Sequence, residues 1–273
     1  MNWLGKLALG IVAVVAIVAG GIAAIDYRPS DDRIRLRARQ GYSDGAYMAY
    51  VQPWGAPSGL FDLWARRADS IRVDPGKFPD RTRISWRWPP FGPPGALSIW
   101  GYDHIAYGNY DGGEVEAKVT PVRVKEAKVF KQSFEWSGDF AMGDGTLLTE
   151  FYLRSDPADL ESKTLEVGWF LHAPALTKKF LAEGKQLGRY RDPHGDEWRA
   201  VLNDKYLTFS SPEGKDMTKG SLDMLDALRW LQRGGHISGE EWITGLAVGV
   251  EPMSGAGHVE IKTWVAKLSL AGR

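Results

Sequence analysis

The sequence predicts an all-β protein, an antiparallel sandwich or barrel, and three observations carry that reading. Short runs rich in Val, Ile, Thr, Tyr, Phe and Trp recur with turn residues between them, the pattern of strands at regular spacing. The 273 residues include 12 Trp, 32 Gly and 15 Pro, a strand-and-turn composition with large aromatic surfaces. At 44% hydrophobic and 25% charged, the chain can bury a full core as one large or two small domains. Net charge is +0, so no global field recruits nucleic acid or a membrane surface. The absence of Cys removes disulfides, thiolate zinc sites and thiol nucleophiles.

Taken in order, the first element is Leu7 to Ile25, an uncharged apolar run long enough to cross a bilayer as a helix. It reads as an uncleaved transmembrane anchor. The alternative is a secretory signal with Gly21-Ile22-Ala23 as its cleavage site. Arg28, Arg33, Arg35, Arg37 and Arg39 follow the span, and the positive-inside rule alone would hold them in the cytoplasm. The expected division is an anchor or signal over 1–27, a juxtamembrane linker or edge strand over 28–45, and one domain over 46–273. Within the linker, Arg33 to Arg39 alternates basic and apolar with period 2, which suits an edge strand protected by charge. A docking surface for anionic lipid or polysaccharide is the other reading of the same pattern.

Strands are then expected at Ala46 to Gln52, Arg83 to Trp88, Ser98 to Tyr107, Gly113 to Phe130, Leu147 to Arg154, Thr164 to His172, Trp198 to Leu202, Tyr206 to Ser210, Gly245 to Met253 and His258 to Ser269. One segment breaks the pattern. Leu222, Leu225, Leu228 and Leu231 fall at helical spacing between a capping Ser221 and the stop Gly234-Gly235, which predicts one amphipathic helix over Ser221 to Arg233 on the outside of the sheets.

Three strands share an unusual arrangement. Strand side chains alternate between faces. In GLAVGVEPM, Leu246, Val248 and Val250 oppose Ala247, Gly249, Glu251 and Met253. In LLTEFYLR, Leu147, Thr149, Phe151 and Leu153 oppose Leu148, Glu150, Tyr152 and Arg154. In TLEVGWFLH, Leu165, Val167, Trp169 and Leu171 oppose Glu166, Gly168, Phe170 and His172. A single strand carboxylate is usually just solvated, but three strands with an apolar back and an acid in front would gather carboxylates on one concave surface. Trp54 and Trp100 are candidates to line it, since flat aromatic faces suit sugar rings. Two carboxylates across a cleft are the minimum for glycosidic bond cleavage, one protonated and one ionised. Burial and mutual repulsion would push their pKa values apart and so assign the roles.

The same stretches, in order, resemble glycoside hydrolase family 12, mostly endo-acting β-1,4-glucanases and xyloglucanases. YVQPWG is similar to the family's Asn-Asn-x-Trp-Gly segment. RISWRWPP with SIWGYDHIAYGNYDGG resembles its Trp-rich strand and Tyr-Pro-x-x-x-Tyr-Gly segment. LLTEFYL resembles its Tyr-Asp-x-Trp/Phe strand, TLEVGWFL its Tyr-Glu-x-Met-x-Trp strand, GVEPMSGAG its Gly-x-Glu-Pro-x-x-Gly segment, and VEIKTWVAKL its final strand. The resemblance implies a two-sheet antiparallel β-jelly roll, concanavalin-like; the leucine spacing and the apolar run add one external helix and a preceding N-terminal transmembrane helix. It implies Glu166 as nucleophile, Glu251 as acid/base and Glu150 as a supporting acid. Trp54 and Gln52 then match sugar contacts, and Trp100, Tyr107, Phe170 and Met253 join the expected substrate-binding set.

Departures from the family pattern are Glu150 for Asp, Gly168 for Met, Phe170 for Trp, Asp103 for Pro, and Met253 where an aromatic is common. Trp86, Trp88, Trp136, Trp169, Trp198 and Trp264 are expected in the core. His104 and His172 are either cleft residues or polar residues on a solvated strand face. The five His show no metal-ligand spacing, and no metal and no cofactor is expected. There is no Gly-x-Ser-x-Gly, phosphate loop or dinucleotide fingerprint.

The implied activity is a retaining endo-acting hydrolase of a β-1,4-glucan-type polysaccharide. The alternatives are a membrane-tethered transglycosylase that remodels a self-made polysaccharide, and a non-catalytic polysaccharide-binding protein. Partners are then the polysaccharide and, through the N-terminal helix, an inner or plasma membrane, with no nucleic acid and a monomeric state. A polymeric glucan lies outside the cytoplasm, which favours an exported domain over the orientation that the arginines alone would give.

Overall fold

The computed structural model describes residues 32–55, 66–94, 98–111 and 117–270. The expected membrane span at Leu7 to Ile25 lies outside them; among the described residues no helix is long and apolar enough to cross a membrane.

The chain forms β1 (Ile34–Leu36), β2 (Gly41–Asp44), β3 (Tyr47–Tyr50), β4 (Ser70–Val73), β5 (Thr82–Arg87), β6 (Asp103–Gly108), β7 (Val122–Arg123), β8 (Ala127–Met142), β9 (Gly145–Arg154) and β10 (Lys163–His172). After helix α1 (Ala175–Ala182) come β11 (Lys185–Arg191), β12 (Glu197–Asn203), β13 (Tyr206–Ser210) and β14 (Lys219–Asp223). Helix α2 (Met224–Arg233), β15 (Trp242–Ile243), β16 (Gly245–Pro252) and β17 (Ala256–Leu270) complete it. One sheet runs β1-β4-β5-β17-β8-β14. The other runs β11-β12-β13-β10-β9-β16-β6-β3-β2, with β7 and β15 off that path.

The two-sheet expectation holds; β2, β4, β11, β14 and β15 are strands that were not expected, and three further differences stand out. The pairing of β10 with β13 is parallel, because α1 and the β11–β12 hairpin carry the chain across before β13 joins. The expected strand over Gly113 to Phe130 is broken: its described part holds only β7, a 3-10 turn at Val124–Glu126, and the start of β8. Among the described residues, α1 is a helix that was not expected beside α2. The apolar stripe of α2 is in place, with Leu225, Leu228 and Leu231 buried, but Ser221 lies in β14 and the cap is Asp223, whose carboxylate accepts from the Asp226 amide at 3.0 Å.

The inner faces of the sheets make the core. Phe151, Val167, Trp169, Leu246 and Val248 from the larger sheet meet Ile84, Phe130, Phe134, Val259 and Trp264 from the smaller. All six tryptophans expected in the core are buried. A buried polar chain ties the layers: Trp264 Nε1 donates to Gln132 Oε1 at 2.7 Å, and Gln132 Nε2 to Thr149 Oγ1 at 2.9 Å. Each polar atom in that chain has a partner, so its burial is not penalised as an orphan would be. With β9 and β16 anchored from behind in this way, their outer faces are presented rigidly.

Candidate active site

In a sheet, residues in register on neighbouring strands project to the same side. On the outer face of the larger sheet this builds rows that cross the strands. The first row reads Tyr206, Glu166, Tyr152 over β13, β10 and β9. The second reads Thr208, Gly168, Glu150, Ala247, Ala106, Met48 as far as β3. The third runs from Arg199 on β12 through Ser210, Phe170, Leu148, Gly249 and His104 to Tyr50. Glu251 stands in the fourth, beside Thr146.

Phe170, Leu148 and His104 are buried although they face away from the core; Phe170 and Leu148 belong to a second apolar cluster on this outer face, the floor of the candidate groove. Helix α1 braces one wall: Thr177 Oγ1 lies 2.7 Å from Thr146 Oγ1. At the floor's centre Gly249 must be glycine, since a Cβ there would sit 2.5 Å from the Asp103 carbonyl oxygen. The third row separates Glu150 and Glu166 on one side from Glu251 on the other.

Glu150 is buried and held by tyrosines. The Tyr110 hydroxyl donates to its Oε1 in a short contact, and the Tyr206 hydroxyl to its Oε2 at 3.2 Å. Tyr110 stacks on Tyr152 at 5.1 Å. Burial, then the charge of Glu150, pushes the tyrosine hydroxyls of Tyr110 and Tyr206 upward, so both remain donors. Gly168 explains how Tyr206 arrives: a Cβ there would lie 2.8 Å from the Tyr206 hydroxyl. The side chain missing from β10 is replaced by a ring from β13.

Glu150 and Glu166 hydrogen-bond to each other. Burial raises both, and the neighbouring carboxylate raises Glu166 further, to about 10. The two tyrosine donors favour the anion on Glu150, so in the resting arrangement the pair's one proton sits on Glu166. Glu251, half-buried at the surface of the candidate groove, is pushed well above the usual carboxylate range by desolvation and then by Glu150, which favours its acid form. His104, stacked on Tyr102 at 5.0 Å, is driven down to about 4 by burial and stays neutral.

The expected sugar contacts divide. Trp54 is 58% exposed in the turn after β3, and Gln52 is half-buried beside it. Phe170 forms part of the floor. Trp100 is corrected: it is buried in the core, stacked on Trp88 at 4.4 Å and 1°. Tyr107 is corrected too, because it alternates with His104 on β6 and packs inward on Tyr47 at 5.2 Å. Met253 is buried, its Sδ accepting from Thr177 and Thr146 at 3.5 and 3.7 Å, so it braces the wall and offers no platform. His172 pairs with Asp216 at 2.8 Å.

Asp103, which stands where the family pattern has Pro, accepts the Gln52 amide at 3.1 Å behind the groove. Burial pushes it up to about 8, and its neighbour Asp69 rises with it.

Tyr110 and Tyr206 were not singled out by the sequence. Tyr152 shares the face of Glu150 two residues away, which was a usable signal. Tyr206 gave none, because only the parallel register brings it to Glu150.

No family model and no curated protein matches the sequence. Solved structures do match. Endoglucanase Cel12A from Rhodothermus marinus superposes with TM-score 0.68 at 15% identity, over 87% of this chain and 99% of that one. A family 12 xyloglucanase from Bacillus licheniformis gives 0.66 at 16%, over 87% and 99%. Endoglucanase 3 of family GH12 from Trichoderma harzianum gives 0.66 at 16%, over 89% and 100%. The chain has the glycoside hydrolase family 12 fold. At such identity the likeness establishes architecture, and the chemistry rests on the side chains above.

Proposed function

We propose that the protein is a retaining, endo-acting hydrolase of a β-1,4-glucan-type polysaccharide. The observation that carries this is the row of residues separating Glu166, hydrogen-bonded to Glu150, from Glu251, whose desolvation favours its acid form, on a fold shared with endoglucanases and a xyloglucanase. In the first step the pair's proton moves from Glu166 to Glu150 along their hydrogen bond. The freed Glu166 carboxylate bonds to the anomeric carbon as Glu251 gives its proton to the leaving glycosidic oxygen. In the second step Glu251, now a carboxylate, takes a proton from water. That water attacks the anomeric carbon and releases Glu166.

Reducing-end release from carboxymethyl cellulose, mixed-linkage β-glucan and xyloglucan tests the reading. The expected result is turnover on at least one polymer, reduced roughly 10²- to 10⁴-fold by Glu251→Gln and at least as strongly by Glu166→Gln. No turnover on any of the three would overturn it. Product analysis with an added acceptor sugar separates hydrolysis from transglycosylation. This reading carries with it export of the domain behind an anchor at Leu7 to Ile25. A periplasm-dependent reporter fused after Arg273 checks it, and signal from a cytoplasm-only reporter would contradict it.

A further inference from the structure

One end of the groove differs in charge from the rest of a neutral protein. Beyond Phe170 the third row continues to Ser210 and Arg199, two strand spacings or about 10 Å away. A cavity of about 220 Å³ opens there, lined by Phe170, Ser210 and Arg199 from the sheet and by Lys178 from α1. Of the other charged groups around it, Lys215 pairs with Glu213 at 2.5 Å, and the His172 ring nitrogen hydrogen-bonds with Asp216 at 2.8 Å. Glu197, on the same face of β12 as Arg199, is taken by Arg189. Lys178 and Arg199 have no carboxylate partner among the described residues. Arg199 makes one long hydrogen bond, Nη2 to the Pro212 carbonyl at 3.4 Å, and the Lys178 stem lies over Gly214, where a Cβ would meet its Cε at 3.4 Å. An apolar ring, a hydroxyl and two uncompensated cations are thus presented together, in line with the floor on which the polymer lies.

We propose that this end of the groove is a subsite for a carboxylate-bearing sugar, so that the substrate is an acidic glycan: a β-linked chain carrying a uronic acid or an equivalent carboxylate substituent. Phe170 supports the ring face, Ser210 meets a hydroxyl, and Arg199 and Lys178 close on the carboxylate, Arg199 with a planar fork suited to bidentate contact. The inference rests on the glycan-binding reading of the groove and specifies its substrate.

Calorimetric titration of the full-length Glu166→Gln protein tests it, with cellotetraose and two tetrasaccharides carrying a single glucuronate at the reducing or the non-reducing end. One of the two acidic isomers is expected to bind about tenfold tighter than cellotetraose, as one charge-assisted contact would give, and to lose that margin between low and high salt. Arg199→Gln and, independently, Lys178→Met are each expected to bring the acidic-to-neutral affinity ratio toward one. Cellotetraose binding with neither acidic isomer favoured would overturn the acidic subsite and leave the glucanase reading standing. Binding to none of the three would overturn both. Acidic binding without turnover by the parent protein would keep the subsite and sink the hydrolase.

Discussion

At Gly168 the absence of a side chain is what admits the Tyr206 ring, so Gly168→Ala is expected to push that hydroxyl off Glu150. Turnover should fall at least tenfold with a stability loss of about 1 to 3 kcal/mol, and a kinetic assay beside a thermal melt checks the split. Loss of stability alone would show that the Tyr206 contact is only structural. The Glu150–Glu166 pair makes a second prediction. Glu150→Gln removes the neighbouring negative charge, so Glu166 should titrate below its value of about 10, with burial still holding it above the ordinary carboxylate range. Carboxyl NMR of the parent and the variant reads this directly; an unmoved Glu166 would contradict the shared-proton account. Alternation within a strand makes the three acids legible in the sequence, because their neighbours two residues away set the facing. It leaves the cage around them hidden, because Tyr206 arrives from β13 and Tyr110 from the bend after β6. Trp100 and Tyr107 go astray for a related reason: an aromatic residue suits a core and a sugar equally well, and only the register decides.

Among the elements, α2 was readable because its leucine stripe is buried against the sheet, whereas α1 is short and largely exposed, with only Thr177 and Leu181 buried along it. The start of α2 moved from Ser221 to Asp223 because pairing with β8 holds Lys219–Asp223 extended. Asp223→Ala should therefore cost about 1 kcal/mol, while Ser221→Ala should cost little; equilibrium unfolding of both variants distinguishes them, and the reverse order would restore Ser221 as the cap. β13 is a further case. Its run Tyr206–Ser210 was legible as a strand, but its parallel placement follows from the α1 crossover and lies beyond what local pattern encodes.

For the whole molecule, buried carboxyls set the response to pH. Asp103 holds its proton up to about pH 8 when folded, whereas its ordinary value is 3.8, so between those values the native state binds a proton that the unfolded chain has lost. Stability conferred by folding is therefore greatest at the acid end of that window and falls as pH rises through it, and Glu166 and Glu251 act in the same direction. Thermal melts should give a higher midpoint at pH 5 than at pH 8.5, and Asp103→Asn should recover on the order of 2 kcal/mol at the higher pH. A midpoint that rises with pH would show that these groups are ionised in the native state. The two-sheet architecture was legible from strand periodicity and turn spacing, and the groove followed from three acids that share a face. Proton NMR of the products released from mixed-linkage β-glucan tests the central claim most directly. Double displacement through Glu166 and Glu251 predicts that new reducing ends appear first as the β anomer and mutarotate afterwards. The α anomer appearing first would contradict the assignment of Glu166 as nucleophile.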